Sequence, residues 1–173
     1  MKEIIWHGRG GQGAFTAARL LGEAWSLREH TFVLAFPSFG PERRGAPIRA
    51  FTKLDVKPIG NRSEITKADY SIFLDDTLFT PQAFNELKPD GNILLNTKKS
   101  VADKRVITID GDSIAEKYLR LPITNTILLG ALAAVSGLIS LDALTDAVRQ
   151  TMPPRLHEKN IAAITAAYEE AET

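Results

Sequence analysis

Apolar positions along this chain follow two spacings. Lys2 to Trp6 and Thr31 to Phe36 are short runs of strand length, and the second is nearly all apolar, which predicts an interior strand. Between them Ala14, Ala17, Ala18, Leu21, Ala24 and Trp25 recur at steps of three and four. Thr16, Arg19, Glu23 and Ser26 take the opposite face, so the spacing predicts an amphipathic helix from Ala14 to Glu29. Further strand-like runs follow at 48–54, 69–74, 92–96 and 105–109, and the stretch 56–59 reads as a continuation or a short hairpin arm. Thr80 followed by Pro81 is a helix start, with a capping residue and then proline at the first helical position; that helix should stop at Pro89, Asp90 and Gly91. A short helix capped by Asp112 or Ser113 should end near Leu121 and Pro122. From Asn125 onward every segment has helical spacing, with Pro153 and Pro154 separating the last two helices.

Strands alternating with helices over residues 1–122 predict an α/β fold, a three-layer Rossmann-like sandwich with a mostly parallel sheet. Residues 123–173 add a helical C-terminal tail packed on it, within a single domain. The stretch from Ile127 to Ile139 lacks a charged residue on any side, so it is expected to be buried, in its own core or against another subunit. It is also shorter than the roughly 20 residues a membrane span requires.

Composition narrows the chemistry. Lys and Arg total 21, as do Asp and Glu, so no basic excess points to nucleic acid. The chain has no cysteine, which removes disulfides, thiolate metal sites, cysteine nucleophiles and cysteine-held iron–sulfur clusters. Its three histidines, His7, His30 and His157, are far apart and without ligand spacing, so no metal site is expected. With no signal-peptide pattern at the N-terminus, the expectation is a cytoplasmic, soluble protein.

The densest motif is His7 to Gly13, with glycine at 8, 10, 11 and 13, lying between a predicted strand and a predicted helix. That arrangement aims backbone N–H groups and a positive helix end at one point. Three readings stay open: a dinucleotide turn, glycines that let helix and strand pack closely, and a site for some other anion. The dinucleotide reading needs a carboxylate at the end of the second strand, and none occurs before Glu42. No Walker lysine and no Gly-x-Ser-x-Gly elbow is present, and no catalytic residue can be nominated. The segment from Pro37 to Pro47 holds three prolines and two glycines, so it is a stiff loop. Its Arg43 and Arg44 would clamp a carboxylate or phosphate, or else pair with Glu42 and solvent. Asp75 and Asp76 read as a turn or cap, and Asp110 to Asp112 as a turn plus cap.

Two stretches resemble a known family: Ile4 to Gly13, and Phe36 to Pro47 with its Glu-Arg-Arg-Gly-Ala-Pro ending. Together with Lys57 to Ile59, Asp69 to Leu74 and Gly91 to Asn96, they are similar to the gamma subunit of the 2-oxoacid:ferredoxin oxidoreductases, in the pyruvate-type branch. The resemblance implies a complex with alpha, beta and delta subunits that converts a 2-oxoacid to an acyl-CoA and passes electrons to ferredoxin or flavodoxin. Thiamine diphosphate, iron–sulfur clusters and coenzyme A would belong to the complex, with no cofactor bound by this chain alone. Gly8, Arg9, Gly10, Gly11, Gln12, Gly13, Ser38, Arg43 and Arg44 are the candidate anion- or cofactor-binding residues. The alternative is a stand-alone dinucleotide-binding oxidoreductase using the turn from Gly8 to Gly13.

Overall fold

The computed structural model describes residues 1–38, 40 and 43–172. Among them, six strands form one sheet: β1 (Lys2–Arg9), β2 (Phe32–Pro37), β3 (Pro47–Asp55), β4 (Ala68–Phe73), β5 (Leu87–Asn96) and β6 (Val106–Ile109), in the order β2-β3-β1-β4-β5-β6. β1, β4, β5 and β6 run parallel as neighbours. β3 runs against both β1 and β2 and separates them.

The helices are α1 (Ala14–Ser26), α2 (Gly111–Ile114, continued by a π turn over Ala115–Leu119), α3 (Asn125–Ser136), α4 (Leu141–Thr151) and α5 (His157–Glu172). All five contribute to one apolar cluster against one face of the sheet, where Ile4, Trp6, Ala50, Ile72 and Leu94 point. The other face is covered thinly. Short 3-10 turns over Asp76–Leu78 and Pro81–Glu86 close a second cluster around Phe73, Ile93 and Leu95. Ile65 and Ala68 close a third against Ile5 and Phe51.

α3 is the most deeply buried helix, with every residue from Asn125 to Ala133 buried. Gly130 lets α5 cross it closely, since a Cβ there would sit 2.5 Å from the Ile164 carbonyl oxygen. The apolar stretch therefore fills this chain's own core from Ile127 to Ala133 and again at Ile139, while residues 134–138 stay partly exposed.

Several expectations need correction. β2 is an edge strand and not an interior one. Val33 and Ala35 face α1 and Phe36 packs on Phe51, but no residue of the strand is fully buried, Phe32 is 40% exposed, and among the described residues no strand pairs with its outer side. The helix expected after Thr80 is a 3-10 turn ending at Glu86. Pro89, Asp90 and Gly91 do not stop an element; they form a bulge inside β5, where pairing jumps from Ala68↔Leu87 to Tyr70↔Asn92. Proline is tolerated at such a bulge because it owes the ladder no N–H. Residues 56–59 form neither a strand nor a hairpin arm.

Candidate functional site

β1 continues past the expected Trp6 to Arg9, so half of the glycine motif is strand. Gly10 then makes a parallel bridge to Arg44, donating its N–H to the Ala46 carbonyl at 2.9 Å and accepting from Gly45 N–H at 3.0 Å. A Cβ on Gly10 would lie 2.4 Å from the Arg43 carbonyl oxygen. The close visitor that this glycine accommodates is the chain's own backbone at 43–46. The turn itself is Gly11 to Gly13, where Gly11 (φ +94) and Gly13 (φ +80) adopt left-handed conformations. Gly13 starts α1 with no side-chain cap. Its carbonyl accepts from Asn125 Nδ2 at 3.2 Å, which ties the motif to the first turn of α3.

Arg9 is held in place by its own chain. Its Nε lies 3.1 Å from an Asp75 carboxylate oxygen, Nη1 donates to Gly45 O at 3.1 Å, and Nη2 donates to Thr77 Oγ1 at 2.9 Å. Gln12 closes the lattice: its Oε1 accepts from Arg9 N–H at 2.7 Å and its Nε2 donates to Asp75 at 3.3 Å. Asp75 also caps the turn over Asp76–Leu78 through Thr77 N–H. Burial pushes the Asp75 carboxyl upward, but the hydrogen bonds from Thr77 and Gln12 and the Arg9 charge outweigh it and hold its pKa below the ordinary value. The expected turn-and-cap role of Asp75 is present, together with an ion pair that sequence spacing does not reveal.

Arg43 and Arg44 are exposed. Glu42, the neighbour considered as their partner, lies outside the described residues. Ser38 is carried elsewhere. Its N–H donates to Arg49 O at 2.9 Å, and it lines a cleft of about 410 Å³ with His7, Pro47, Arg49 and Glu64. There His7 stacks on Phe73 with ring centroids 4.2 Å apart and meets Glu86 at 2.8 Å, while Arg49 pairs with Glu64 at 3.1 Å. Burial works to raise the pKa of Glu86, yet the His7 hydrogen bond and nearby cations hold it below the usual value. The candidates thus fall into two groups: Gly8 to Gly13 with Arg43 and Arg44 at the carboxyl end of β1, and Ser38 with His7 on the thinly covered face.

A second cleft, of about 390 Å³, lies beyond the ends of β1, β4 and β5. Gln12, Asp75, Asp76, Thr97, Lys98 and Lys99 line it. Asn96 braces its floor, donating to Leu74 O and to Asp112 Oδ1, each at 3.0 Å, and accepting from Gly111 N–H at 2.9 Å. This is where a parallel sheet presents its ligands. The dinucleotide reading nonetheless finds little support. In that fold β2 lies beside β1 and offers a ribose carboxylate, whereas here β3 intervenes and residues 43–46 occupy the notch at Gly10. Among the described residues, no group of three or more His, Asp or Glu side chains is arranged to hold a metal ion. None of the described helices is long and apolar enough to cross a membrane.

Sequence reasoning missed Asn125 and Glu86 as partners of the motif. Each reaches it from a distant element, and only the predicted strand-end positions of Asp75 and Asn96 gave a signal.

A family model described as pyruvate ferredoxin/flavodoxin oxidoreductase matches residues 3–170. The chain is 45% identical to pyruvate synthase subunit PorC of Methanothermobacter thermautotrophicus, over 99% of this chain and 97% of that protein. It is 42% identical to the pyruvate/ketoisovalerate oxidoreductases common subunit gamma of Pyrococcus furiosus, over 99% and 98% respectively. Among solved structures, pyruvate oxidoreductase subunit PORC of Thermotoga maritima superposes with a TM-score of 0.83 at 34% identity, covering 97% of this chain and 95% of that one.

Proposed function

We infer the role of this chain from the premise that it belongs to the pyruvate ferredoxin/flavodoxin oxidoreductase family, as a gamma-type subunit. It is a non-catalytic part of a multi-subunit 2-oxoacid:ferredoxin oxidoreductase, a complex that oxidatively decarboxylates a 2-oxoacid to an acyl-CoA and reduces ferredoxin or flavodoxin. Alpha, beta and delta subunits are its companions in this reading, and the assembly is cytoplasmic. Pyruvate is the favoured substrate. The Pyrococcus furiosus relative is named as common to pyruvate and ketoisovalerate enzymes, so the choice of 2-oxoacid rests with other subunits.

The redox groups do not suit this chain's residues. It has no thiolate for an iron–sulfur cluster and no glycine–aspartate–glycine opening of a thiamine diphosphate site. Those groups belong to the companion chains, where they supply carbanion stabilisation and electron transfer.

This chain contributes a rigid presenting surface. Arg9, locked to Asp75, Thr77 and Gly45, pins the 43–46 backbone against Gly10. Arg43 and Arg44, within that pinned segment, are exposed for an anionic guest, either coenzyme A phosphates or a neighbouring subunit's carboxylate. The observation that supports this reading is the occupied notch at Gly10, which donates its N–H to Ala46 O and accepts from Gly45 N–H, with the exposed cations on that same loop.

Arg43→Ala combined with Arg44→Ala tests it in the purified complex. The expected result is weaker assembly, or a several-fold higher KM for coenzyme A at unchanged kcat, with the thermal midpoint of the chain preserved. Normal assembly together with normal kinetics would sink the proposal.

A further inference from the structure

β2 pairs with β3 on one side and, among the described residues, with no strand on the other. Ser38 N–H donates to Arg49 O at the position that continues the register Pro37↔Ala50. Bonding alternates along an antiparallel pair, so Phe32, Leu34 and Phe36 turn their peptide groups toward β3, whereas Val33 and Ala35 turn theirs outward. Open edges are normally guarded by charges, bulges or proline within the strand. Phe32–Pro37 carries no charge, and its proline is its last residue.

A groove of about 370 Å³ runs beside this edge, lined by Phe15, Val33 and Ala35 and flanked by Arg19 and Glu23 of α1. A Cβ on Gly22 would meet Val33 at 2.6 Å and Ala35 at 3.9 Å, so Gly22 lies level with the middle of β2. Arg19 therefore lies toward one end of the groove and Glu23 toward the other.

We propose that the β2 edge is a self-association surface, on which a second copy of this chain pairs antiparallel about a two-fold axis at Leu34. Centred there, Val33 faces Ala35 of the second copy, and both outward N–H groups of each copy meet carbonyls. Centring on Ala35 would set Pro37, which has no N–H, against Val33 and leave each Val33 carbonyl without a donor. The same axis runs the two α1 helices antiparallel on one face and brings Arg19 of each copy toward Glu23 of the other. The surface is complementary to itself in both backbone and charge, as an isologous contact requires.

Analytical ultracentrifugation of the full chain, across the micromolar range and at low and high salt, tests this. A dimer that weakens with salt is expected. Ala35→Pro removes an outward N–H while leaving the β3 ladder intact, and should give a folded monomer whose thermal midpoint matches that of the wild-type chain diluted to its monomeric range. Arg19→Glu should weaken association about tenfold, and adding Glu23→Arg should restore it. The charge pair decides the matter even if the proline variant fails to fold. A chain that stays monomeric throughout overturns the proposal, as does a dimer indifferent to the charge swap. It is likewise overturned if β2 amides are protected from hydrogen exchange only in the assembled complex, because a different subunit's strand would then occupy the edge.

Discussion

Gly10 and Gly11 are neighbours and are glycine for different reasons. At Gly10 the obstacle is a carbonyl oxygen of the main chain, 2.4 Å from where a Cβ would sit, and backbone cannot step aside as a flexible side chain can. Gly10→Ala should cost about 1–3 kcal/mol, read from urea midpoints, because it pushes residues 43–46 off their bridge. At Gly11 there is open space but a φ of +94. Gly11→Ala should therefore cost only about 1 kcal/mol of backbone strain and leave Arg43 and Arg44 in place. Asp75 offers a test in pH. Its folded pKa is depressed, so the carboxylate's stabilisation is complete at neutral pH and is lost as pH falls below the ordinary value of 3.8. Asp75→Asn should lower stability at neutral pH and flatten the acid limb of the stability curve, checked by denaturant unfolding at stepped pH. An unchanged acid limb would mean that the Arg9 pair contributes little. The glycines of the motif could be read from the sequence as positions that exclude a side chain. What excludes it could not, because the visitor at Gly10 is about 35 residues away along the chain and Asn125 is farther still.

Elements follow periodicity where a packed face dictates them. The spacing that predicts α1 and the all-round apolarity that predicts a buried α3 are both consequences of one shared cluster. Leu128 lies in that cluster with no exposed surface. Leu128→Ala should cost about 2–5 kcal/mol, measured as a lower denaturant midpoint at constant m, since crossing helices leave the void little room to collapse. β2 and β3 show where pattern reading stops. A run of apolar residues reports neither how deeply a strand is covered nor whether its rims are paired, so an edge strand that is only half-buried reads as interior. Strand direction is equally silent, because side chains alternate with a period of two whichever way the strand runs. The 3-10 turn after Thr80 misled for a related reason: the cap and proline specify a start, and nothing local specifies that Leu87 must turn into the sheet.

For the whole molecule, the α/β sandwich and the family were legible because two specific motifs stood at the ends of predicted strands. Family membership then explains why a strand–glycine–helix entry occurs without a ribose carboxylate. The carboxyl edge of the sheet is spent partly on bracing itself, through Arg9, Gln12, Asp75 and Asn96, and partly on presenting cations on a pinned loop. That division matches a subunit whose work is done against other chains. It also explains why the thermal readout and the assembly readout should separate in the double arginine variant, with the bracing intact and the exposed charges gone.

The insertion of β3 between β1 and β2 governs the order in which the chain acquires structure. A nascent polypeptide that has emerged only as far as Pro37 holds two strands that never touch, and α1 then has no completed surface to lie on. The whole N-terminal third waits for residues 47–55, after which β3 pairs with both strands together. Synthesis past Asp55 is accordingly the earliest point at which the first three strands can pair, so protease resistance of the emerging segment should not precede it.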